Sequence, residues 1–376
     1  MIKTGIATVA TLAAPSIKAS LQTEHKKSRT RIPVVHTTDL YHPPQDPDDQ
    51  IDLATVLALE EFDLRGVVLD TTQRFLVGAP KGFDVPRDPG FIPVCQIGYL
   101  LNRSIPVAIG PTQPLASPHD SAKDCPQNEQ AGINLLLEIL ENSSAPVLIT
   151  IVGSARIVTA AFNRNPKLMR EKTRAVVINA GSTGGQKTEW NVGLDLHAFV
   201  GLWQSGLPIH WYPCGTEKSA FVRSHERGTY WHATHRALFA DLPEKLKAWF
   251  AYGFSGSTRS DFIKALDEMN EGPEWDKVLE GERNLWSTSS LVMSAGRVLA
   301  QTPNGWRFLP GESAAGLTVW PWRMDPVSAR VSDDGKVDWR VIKDPSPTRI
   351  FGRKPDAEYG QAMAEALNAL LTTLPV

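Results

Sequence analysis

Apolar runs alternate with amphipathic stretches along most of the chain. Mainly apolar runs predict strands at residues 32–37, 64–69, 105–109, 146–152, 175–179 and 207–212. Between them, apolar residues at helical spacing predict helices at 48–61, 97–102, 130–140, 155–162 and 195–204. This alternation predicts βαβ units and therefore an α/β fold, with a mostly parallel, doubly wound sheet and helices on both faces.

The later part of the chain has a different pattern. Residues 230–299 are predicted to be mainly helical, residues 316–342 to hold short strands, and residues 358–371 to form a closing amphipathic helix. The sequence has no internal repeat and no linker-like stretch within this part. Residues 31–376 are therefore predicted to form a single domain with a helical C-terminal half.

Composition and charge narrow the classes of partner. The chain has 376 residues, 42% hydrophobic and 21% charged, which is typical of a globular protein. A formal net charge of −2 gives no reason to expect nucleic acid or an anionic membrane as a partner. Cys95, Cys125 and Cys214 form no CxxC pair, which argues against a zinc or redox motif and leaves a single disulfide open.

The first 30 residues are predicted to be a leader. A basic start at residues 1–3, an apolar run at 5–15 and Ala19-Ser20 have the order of a weak secretory signal. The apolar run is too short to span a bilayer. We therefore expect export if the signal is used, and a cytoplasmic protein with an irregular leader if it is not.

Carboxylates crowd the loop between the first strand and the first helix. Asp39, Asp46, Asp48 and Asp49 repel one another at this spacing, and a bound cation removes that cost. Calcium binds roughly six to eight oxygen ligands of this kind. The alternative is an ordinary capping loop, since a helix N-terminus also favours carboxylates. Ligands bind at the carboxyl ends of parallel strands, so this loop is predicted to face a crevice.

Several stretches resemble the inosine-uridine-preferring nucleoside hydrolases. Thr38-Asp39 followed by Pro47-Asp48-Asp49-Gln50 is similar to the family's Asp-x-Asp-x-x-x-Asp-Asp loop with an insertion, in a form typical of a divergent branch. Residues 153–166 look like the family's Gly-Pro-Leu-Thr-Asn helix. The run from Glu189 to Asp195 matches the family's Glu-Phe-Asn-x-x-x-Asp. The resemblance extends in order over residues 32–373.

The resemblance implies a calcium-dependent N-glycosidase that releases the base from a ribonucleoside. Asp39 would bind calcium and accept a proton from water, Asp48 would bind the ribose hydroxyls, and Asp49 would bind calcium. A cation lowers the pKa of water, and carboxylates and amides around the sugar stabilise an oxocarbenium-like transition state. The other implied contacts are the Val152 carbonyl with the metal, and Gln73, Glu189 and Asn191 with the sugar.

The chain departs from the family late in the sequence. The resemblance implies that Trp286 and Ser287 would occupy the positions of the family's His-Asp pair, in which the Asp binds calcium and the His is tied to leaving-group chemistry. Ser287 or Thr288 would then offer a neutral oxygen to the metal, and Asp46 is the candidate source of the missing charge. His225 and His232 are candidate replacement acids, because an imidazole titrates near neutral pH.

Three functions stay open at this point. The first is base release from nucleosides, and the second is hydrolysis of another glycoside. The third is a non-catalytic protein of the same fold that binds a sugar or nucleoside. All three imply a small-molecule ligand, and the resemblance implies a homo-oligomer.

Overall fold

The predicted strands form the centre of one large sheet in the computed structural model, which describes residues 30–43, 48–76, 87–184 and 188–376. The strands are β1 (Ile32–Thr38), β2 (Phe62–Leu69), β3 (Val107–Ile109), β4 (Val147–Ile151), β5 (Thr173–Asn179), β6 (Ile209–Tyr212), β7 (Trp231–Thr234), β8 (Glu282–Leu285), β9 (Arg297–Thr302), β10 (Gly305–Pro310), β11 (Thr318–Val319), β12 (Trp322–Val331), β13 (Val337–Val341) and β14 (Arg349–Arg353). The α-helices are α1 (Asp48–Ala58), α2 (Gln73–Leu76), α3 (Phe91–Leu100), α4 (Ala131–Asn142), α5 (Arg156–Arg164), α6 (Pro166–Lys172), α7 (Trp190–Leu194), α8 (Leu196–Gln204), α9 (His235–Phe239), α10 (Glu244–Phe254), α11 (Pro273–Leu279), α12 (Thr288–Ser294) and α13 (Tyr359–Leu371).

The sheet is parallel through its centre. Within the described residues it has nine strands in the order β13-β12-β14-β6-β5-β4-β1-β2-β3. Neighbours from β14 to β3 pair in parallel, whereas β12 and β13 add an antiparallel edge. The predicted α/β class with a mostly parallel sheet is confirmed. Because parallel strands end at the same edge, the loops after β1, β2, β4, β5 and β6 meet there.

Alternate residues of each central strand face two different hydrophobic cores. Val34 and Val35 are neighbours in β1, yet each is fully buried in a different core, and Val176 and Val177 divide in the same way in β5. One core is completed by α1, α3, α10 and α13, and the other by α4, α5 and α8. Helices therefore cover both faces, as the doubly wound pattern predicts.

The predicted helical stretch at 230–299 also contains short strands. Helices α9 to α12 lie here, but β7 pairs with β8, and β9 begins the small sheet β10-β9-β11. Strands of four residues are too short for their periodicity to be recognised. Strand β8 matters for the site because the chain runs from it through Trp286 and Ser287 into α12.

The N-terminal predictions fall largely outside the described residues. Of the leader at residues 1–30, the structure describes residue 30, and Arg31–Val376 form one unit of contacts. None of the described helices has the length and apolar character needed to cross a membrane. Cys95, Cys125 and Cys214 are all unpaired, so the single disulfide left open above is not formed.

Candidate active site

The predicted carboxylates gather where β1 ends and α1 begins. Asp39 directly follows β1, and Asp48 and Asp49 form the first turn of α1. The Thr38 hydroxyl donates to Asp49 Oδ1 at 2.6 Å and holds this carboxylate against the end of the strand. Asp46, the predicted extra ligand, lies outside the described residues.

A further carboxylate, Asp52, belongs to this group, although the sequence analysis assigned it no role. It lies three residues after Asp49 on α1 and is 2% exposed. Residues three and four apart share one face of a helix, so Asp48, Asp49 and Asp52 project to the same side. In the sequence, only this spacing of acidic residues indicated that Asp52 belongs to the group. The same spacing is common on solvent-exposed helices, so it does not identify a site.

The electrostatics of the group are unfavourable without a counter-charge. Burial raises the pKa of Asp49 well above its usual range, and the charges of Asp39, Asp48 and Asp52 raise it further. Burial also raises the pKa of Asp52 to about 7, which a hydrogen bond from Ser287 partly opposes. Even so, no three His, Cys, Asp or Glu side chains in the described ranges are arranged to hold a metal ion. A cation here would need neutral oxygen ligands as well.

The end of β4 packs directly against Asp39. A Cβ added at Gly153 would lie 2.9 Å from Asp39 Oδ1 and 3.0 Å from Asp39 Cβ. Glycine therefore permits the close approach of this backbone to the carboxylate. The preceding Val152 N–H donates to the Thr37 carbonyl at 3.1 Å, which extends the pairing of the two strands into the site.

Asn191 clamps two strand ends together. Its Nδ2 donates to the Val152 carbonyl at 3.2 Å and to the Asn179 carbonyl at 2.8 Å. A carbonyl oxygen has two lone pairs, so the Val152 carbonyl keeps capacity for a second partner. The amide predicted to bind sugar thus also fixes the carbonyl predicted to bind metal.

The Glu189 carboxylate accepts hydrogen bonds from the backbone around it. It caps α7 and accepts hydrogen bonds from the N–H groups of Gly181 at 2.8 Å, Asn191 at 3.1 Å and Val192 at 3.3 Å. Burial raises its pKa to about 7, and these hydrogen bonds oppose the rise. Its clear structural role is to position Trp190 and Asn191, and its contact with a sugar stays a prediction.

Three aromatic side chains form a wall of neighbouring rings. This aromatic wall consists of Tyr41, Phe75 and Trp190, with ring centroids 5.3 Å apart for the first pair and 6.2 Å for the second. The Arg74 guanidinium lies 4.7 Å from the Phe75 ring centroid and 5.0 Å from that of Trp190. Gln73, the predicted sugar contact, begins the same short helix, α2, and is exposed.

The two candidate histidines have local carboxylate partners. His225 lies in the loop after β6, with Nε2 3.0 Å from Glu217 Oε2. His232 lies in β7, with Nε2 3.3 Å from Glu282 Oε2, and its backbone carbonyl packs against Gly360 of α13. Each imidazole therefore lies within ion-pair distance of an exposed glutamate. The role of the two histidines as proton donors stays a prediction.

Trp286 and Ser287 face different neighbours. The Trp286 indole donates to the Ala220 carbonyl at 3.0 Å, and its ring centroid lies 5.3 Å from that of Tyr230 and 5.6 Å from that of Phe221. Ser287 is buried and hydrogen-bonds to Asp52. The first residue thus completes an aromatic cluster, and the second joins α12 to the carboxylates of α1.

A buried network of charged side chains is centred on Arg156. Arg156 is fully buried, and it donates from Nε to Asp195 Oδ2 at 2.9 Å and from Nη1 to the Pro111 carbonyl at 2.8 Å. Its Nη1 also lies 3.7 Å from Asp70 Oδ1. Asp70 Oδ2 in turn accepts from the Ser154 N–H at 2.7 Å. This network ties the loops after β2 and β4 to α8, and the sequence analysis did not identify it.

The known proteins to which this chain is similar include ribonucleoside hydrolases. The pyrimidine-specific ribonucleoside hydrolase RihA from Enterobacter sp. (strain 638) is 31% identical over 202 residues, which cover 47% of this chain. The match spans only 58% of that relative's length. No family model matches the chain.

Structural similarity covers a larger part of the chain than the sequence match does. The purine-preferring ribonucleoside hydrolase from Gardnerella vaginalis superposes with a TM-score of 0.52 at 12% identity, covering 90% of this chain and 99% of that chain. The chain has the nucleoside hydrolase fold. The resemblance to nucleoside hydrolases drawn from the acidic loop and the Glu189–Asp195 stretch is thereby confirmed. In this nucleoside hydrolase fold, the carboxylates of β1 and α1 lie at the ligand-binding edge of the sheet.

Proposed function

We propose that the protein is a calcium-dependent hydrolase that cleaves the N-ribosidic bond of a nucleoside and releases its base. The proposal is supported by similarity to two ribonucleoside hydrolases, one in sequence and one in fold. The observation that carries it is the half-buried carboxylate group at Asp39, Asp48 and Asp49, at the carboxyl end of β1. One relative is named for pyrimidines and the other for purines, so the base is left open.

The donors around Asp49 suit calcium because all of them are oxygens. Asp52 Oδ1 is buried without a hydrogen-bond partner, and a nearby cation would satisfy it. Asp39 and Asp49 would hold the ion together with the Val152 carbonyl and the Ser287 hydroxyl. Calcium accepts carbonyl, hydroxyl and water oxygens alongside carboxylates, so a ready-made cage of three acidic side chains is not required. When bound, calcium would supply positive charge that makes a water easier to deprotonate.

The chain's own groups account for the rest of the reaction. Asp39 accepts the proton of the attacking water, whose oxygen bonds to C1′ of the ribose. The bond from C1′ to the base nitrogen breaks, and its electron pair leaves with the base, which takes up a proton. Asp48 binds the ribose hydroxyls and orients the sugar. The aromatic wall offers Trp190 as a surface on which the base stacks.

A binding protein without catalysis is the second candidate. The observation that favours it is Trp286, which stands where the family carries the histidine of leaving-group chemistry and instead packs on Tyr230. In this case, the carboxylates would bind a nucleoside or sugar and leave the bond intact. Hydrolysis of another glycoside is the remaining alternative and would use the same Asp39.

The test is base release from a panel of purine and pyrimidine ribonucleosides, followed by chromatography with calcium or with a chelator. Asp39→Asn should lower kcat/KM by at least about 100-fold, because a general base contributes roughly 10²- to 10⁴-fold. Asp344→Asn, an exposed carboxylate after β13, is the matched control and should behave as wild type. Ligand-induced thermal stabilisation of the wild type without any base release would instead support the binding protein.

A further inference from the structure

Arg156 joins two short helices that carry predicted sugar contacts. Its Nη2 donates to Thr72 Oγ1 at 3.2 Å and to the Leu194 carbonyl at 3.2 Å. Thr72 directly precedes α2, which begins with Gln73. Leu194 ends α7, which contains Asn191. One nitrogen atom of a fully buried side chain therefore bridges the two segments that hold the predicted sugar-binding amides.

The spacing of these two helices depends on contacts with the rest of the protein. Helix α2 has four residues and α7 has five, and helices this short are unstable without tertiary contacts. Across the gap between them, the ring centroids of Phe75 and Trp190 lie 6.2 Å apart. A cavity of about 410 Å³ is lined by residues of both helices, including Gln73, Arg74, Gly193 and Leu194. The spacing of α2 and α7 therefore sets the width of this cavity.

The other two nitrogens of Arg156 fix the guanidinium in place. Its Nε donates to Asp195 Oδ2 at 2.9 Å, and its Nη1 donates to the Pro111 carbonyl at 2.8 Å. Because Nη1 also lies 3.7 Å from Asp70 Oδ1, two buried carboxylates offset the buried positive charge. A buried ion pair is often no more stabilising than apolar side chains of similar volume, so stability alone does not explain this network. What arginine adds is a rigid fork that reaches several acceptors at once.

We propose that Arg156 is a positioning residue for the nucleoside, because its bridge between Thr72 and Leu194 sets the spacing of α2 and α7. The cavity between the helices then has a fixed width, and Gln73 and Asn191 meet the ribose with their backbone already in place. Preorganised groups bind more tightly because less conformational freedom is lost on binding. The inference rests on the function proposed above, since a nucleoside is the ligand that both amides would hold.

Two substitutions at Thr72 separate the hydrogen bond from packing. Thr72→Val keeps the size of the side chain and removes the hydroxyl, whereas Thr72→Ser keeps the hydroxyl and removes the methyl group. Calorimetric titration with inosine and with uridine, in Asp39→Asn protein so that turnover is slow, would measure the Kd of each. We expect Kd to rise about three- to tenfold in Thr72→Val, because α2 must then be ordered when the nucleoside binds, and to stay at its original value in Thr72→Ser. A packing role alone would give the opposite order.

A substitution at Arg156 tests whether Thr72 acts through the bridge. Arg156→Lys keeps the positive charge but loses the fork that reaches both helices, so it should raise Kd at least as much as Thr72→Val. Adding Thr72→Val to Arg156→Lys should bring no further loss, because both changes break the same hydrogen bond. Hydrogen exchange should be faster at residues 73–76 and 190–194 in each folded variant and unchanged in α4. If Arg156→Lys does not fold, the two Thr72 variants and their exchange rates still decide the question.

The possible failures are distinguishable. An unchanged Kd in folded Thr72→Val and Arg156→Lys would overturn the positioning role and leave the proposed hydrolase intact. Fully additive effects of the two changes would show that Thr72 acts on the ligand independently of Arg156, which also overturns the bridge. If the wild type neither binds these nucleosides nor releases a base from any of the panel, the proposed function fails, and the positioning role fails with it.

Discussion

Replacing Gly153 by alanine places a methyl group against the side chain proposed to take a proton from water. The added Cβ would lie 2.9 Å from Asp39 Oδ1 and 3.0 Å from both Asp39 Cβ and Cγ, whereas ordinary contacts begin at 3.4 Å. The carboxylate must therefore retreat by about half an ångström. Rotation of the side chain cannot relieve the contact with Cβ, because that atom is fixed to the backbone at the end of β1.

The expected loss is catalytic rather than structural. Overpacking by one methyl group typically costs about 1–3 kcal/mol, which a chain of this size tolerates. Displacement of a reacting group by about 1 Å can cost roughly 100-fold in rate. We therefore expect kcat/KM for base release to fall by about 10- to 100-fold in Gly153→Ala, with most of the loss in kcat, because Asp39 acts in the transition state. Initial rates at saturating calcium and thermal unfolding curves would measure both effects.

Gly311→Ala is the matched control. The nearest atom to a Cβ at Gly311 is the Gly296 carbonyl oxygen at 3.8 Å, so the same methyl group makes only ordinary van der Waals contact. This variant should keep wild-type kinetics and stability. Wild-type kcat/KM in a folded Gly153→Ala protein would show that the placement of Asp39 against β4 is not what the reaction depends on.

Two further predictions concern a buried histidine and the aromatic wall. Burial lowers the pKa of His36 from 6.5 to about 3, so below pH 6.5 the unfolded chain gains a proton that the folded chain refuses. The free energy of unfolding should then fall with decreasing pH by up to about 1.4 kcal/mol per pH unit, which urea titrations would measure. This fall should be weaker in His36→Leu. It should keep its wild-type size in His119→Gln, which replaces an exposed histidine. Trp190→Ala should raise KM by roughly fivefold with kcat unchanged, because ring stacking contributes about 1 kcal/mol to binding. The control is Tyr99→Ala, which removes an exposed aromatic side chain of α3 and should leave the steady-state KM unchanged.

The central sheet was predictable because its strands are buried on both faces. Every residue of β4 is buried, and its run is apolar except for Thr150, so the strand was predicted from the sequence with only one extra residue at each end. Helix α1 was predicted to extend to residue 61 but ends at Ala58. The overshoot arose because Leu59 and Phe62 are also buried, so the apolar pattern continues through the turn that leads into β2.

Contacts between distant parts of the chain were not predictable. The Arg156 network joins residues from four separate segments, and no local pattern indicates which carboxylate an arginine will meet. The hydrogen bond between Asp52 and Ser287 depends on the packing of α1 against α12. Sequence periodicity shows which face of a helix is buried, but it does not show which other helix covers that face.

On the alignment that the resemblance implies, Trp286 and Ser287 are expected to have unequal consequences. The family's pair at these positions serves two separate tasks, one for the cation and one for the leaving base. For the first task, the structure shows that Ser287 hydrogen-bonds to Asp52, so a carboxylate of α1 lies beside the position of the implied metal ligand. Trp286 offers no proton donor for the second, because its indole N–H is already bonded to the Ala220 carbonyl. We therefore expect the proposed cation binding and the proposed base release to be separable, so that a variant can keep one and lose the other.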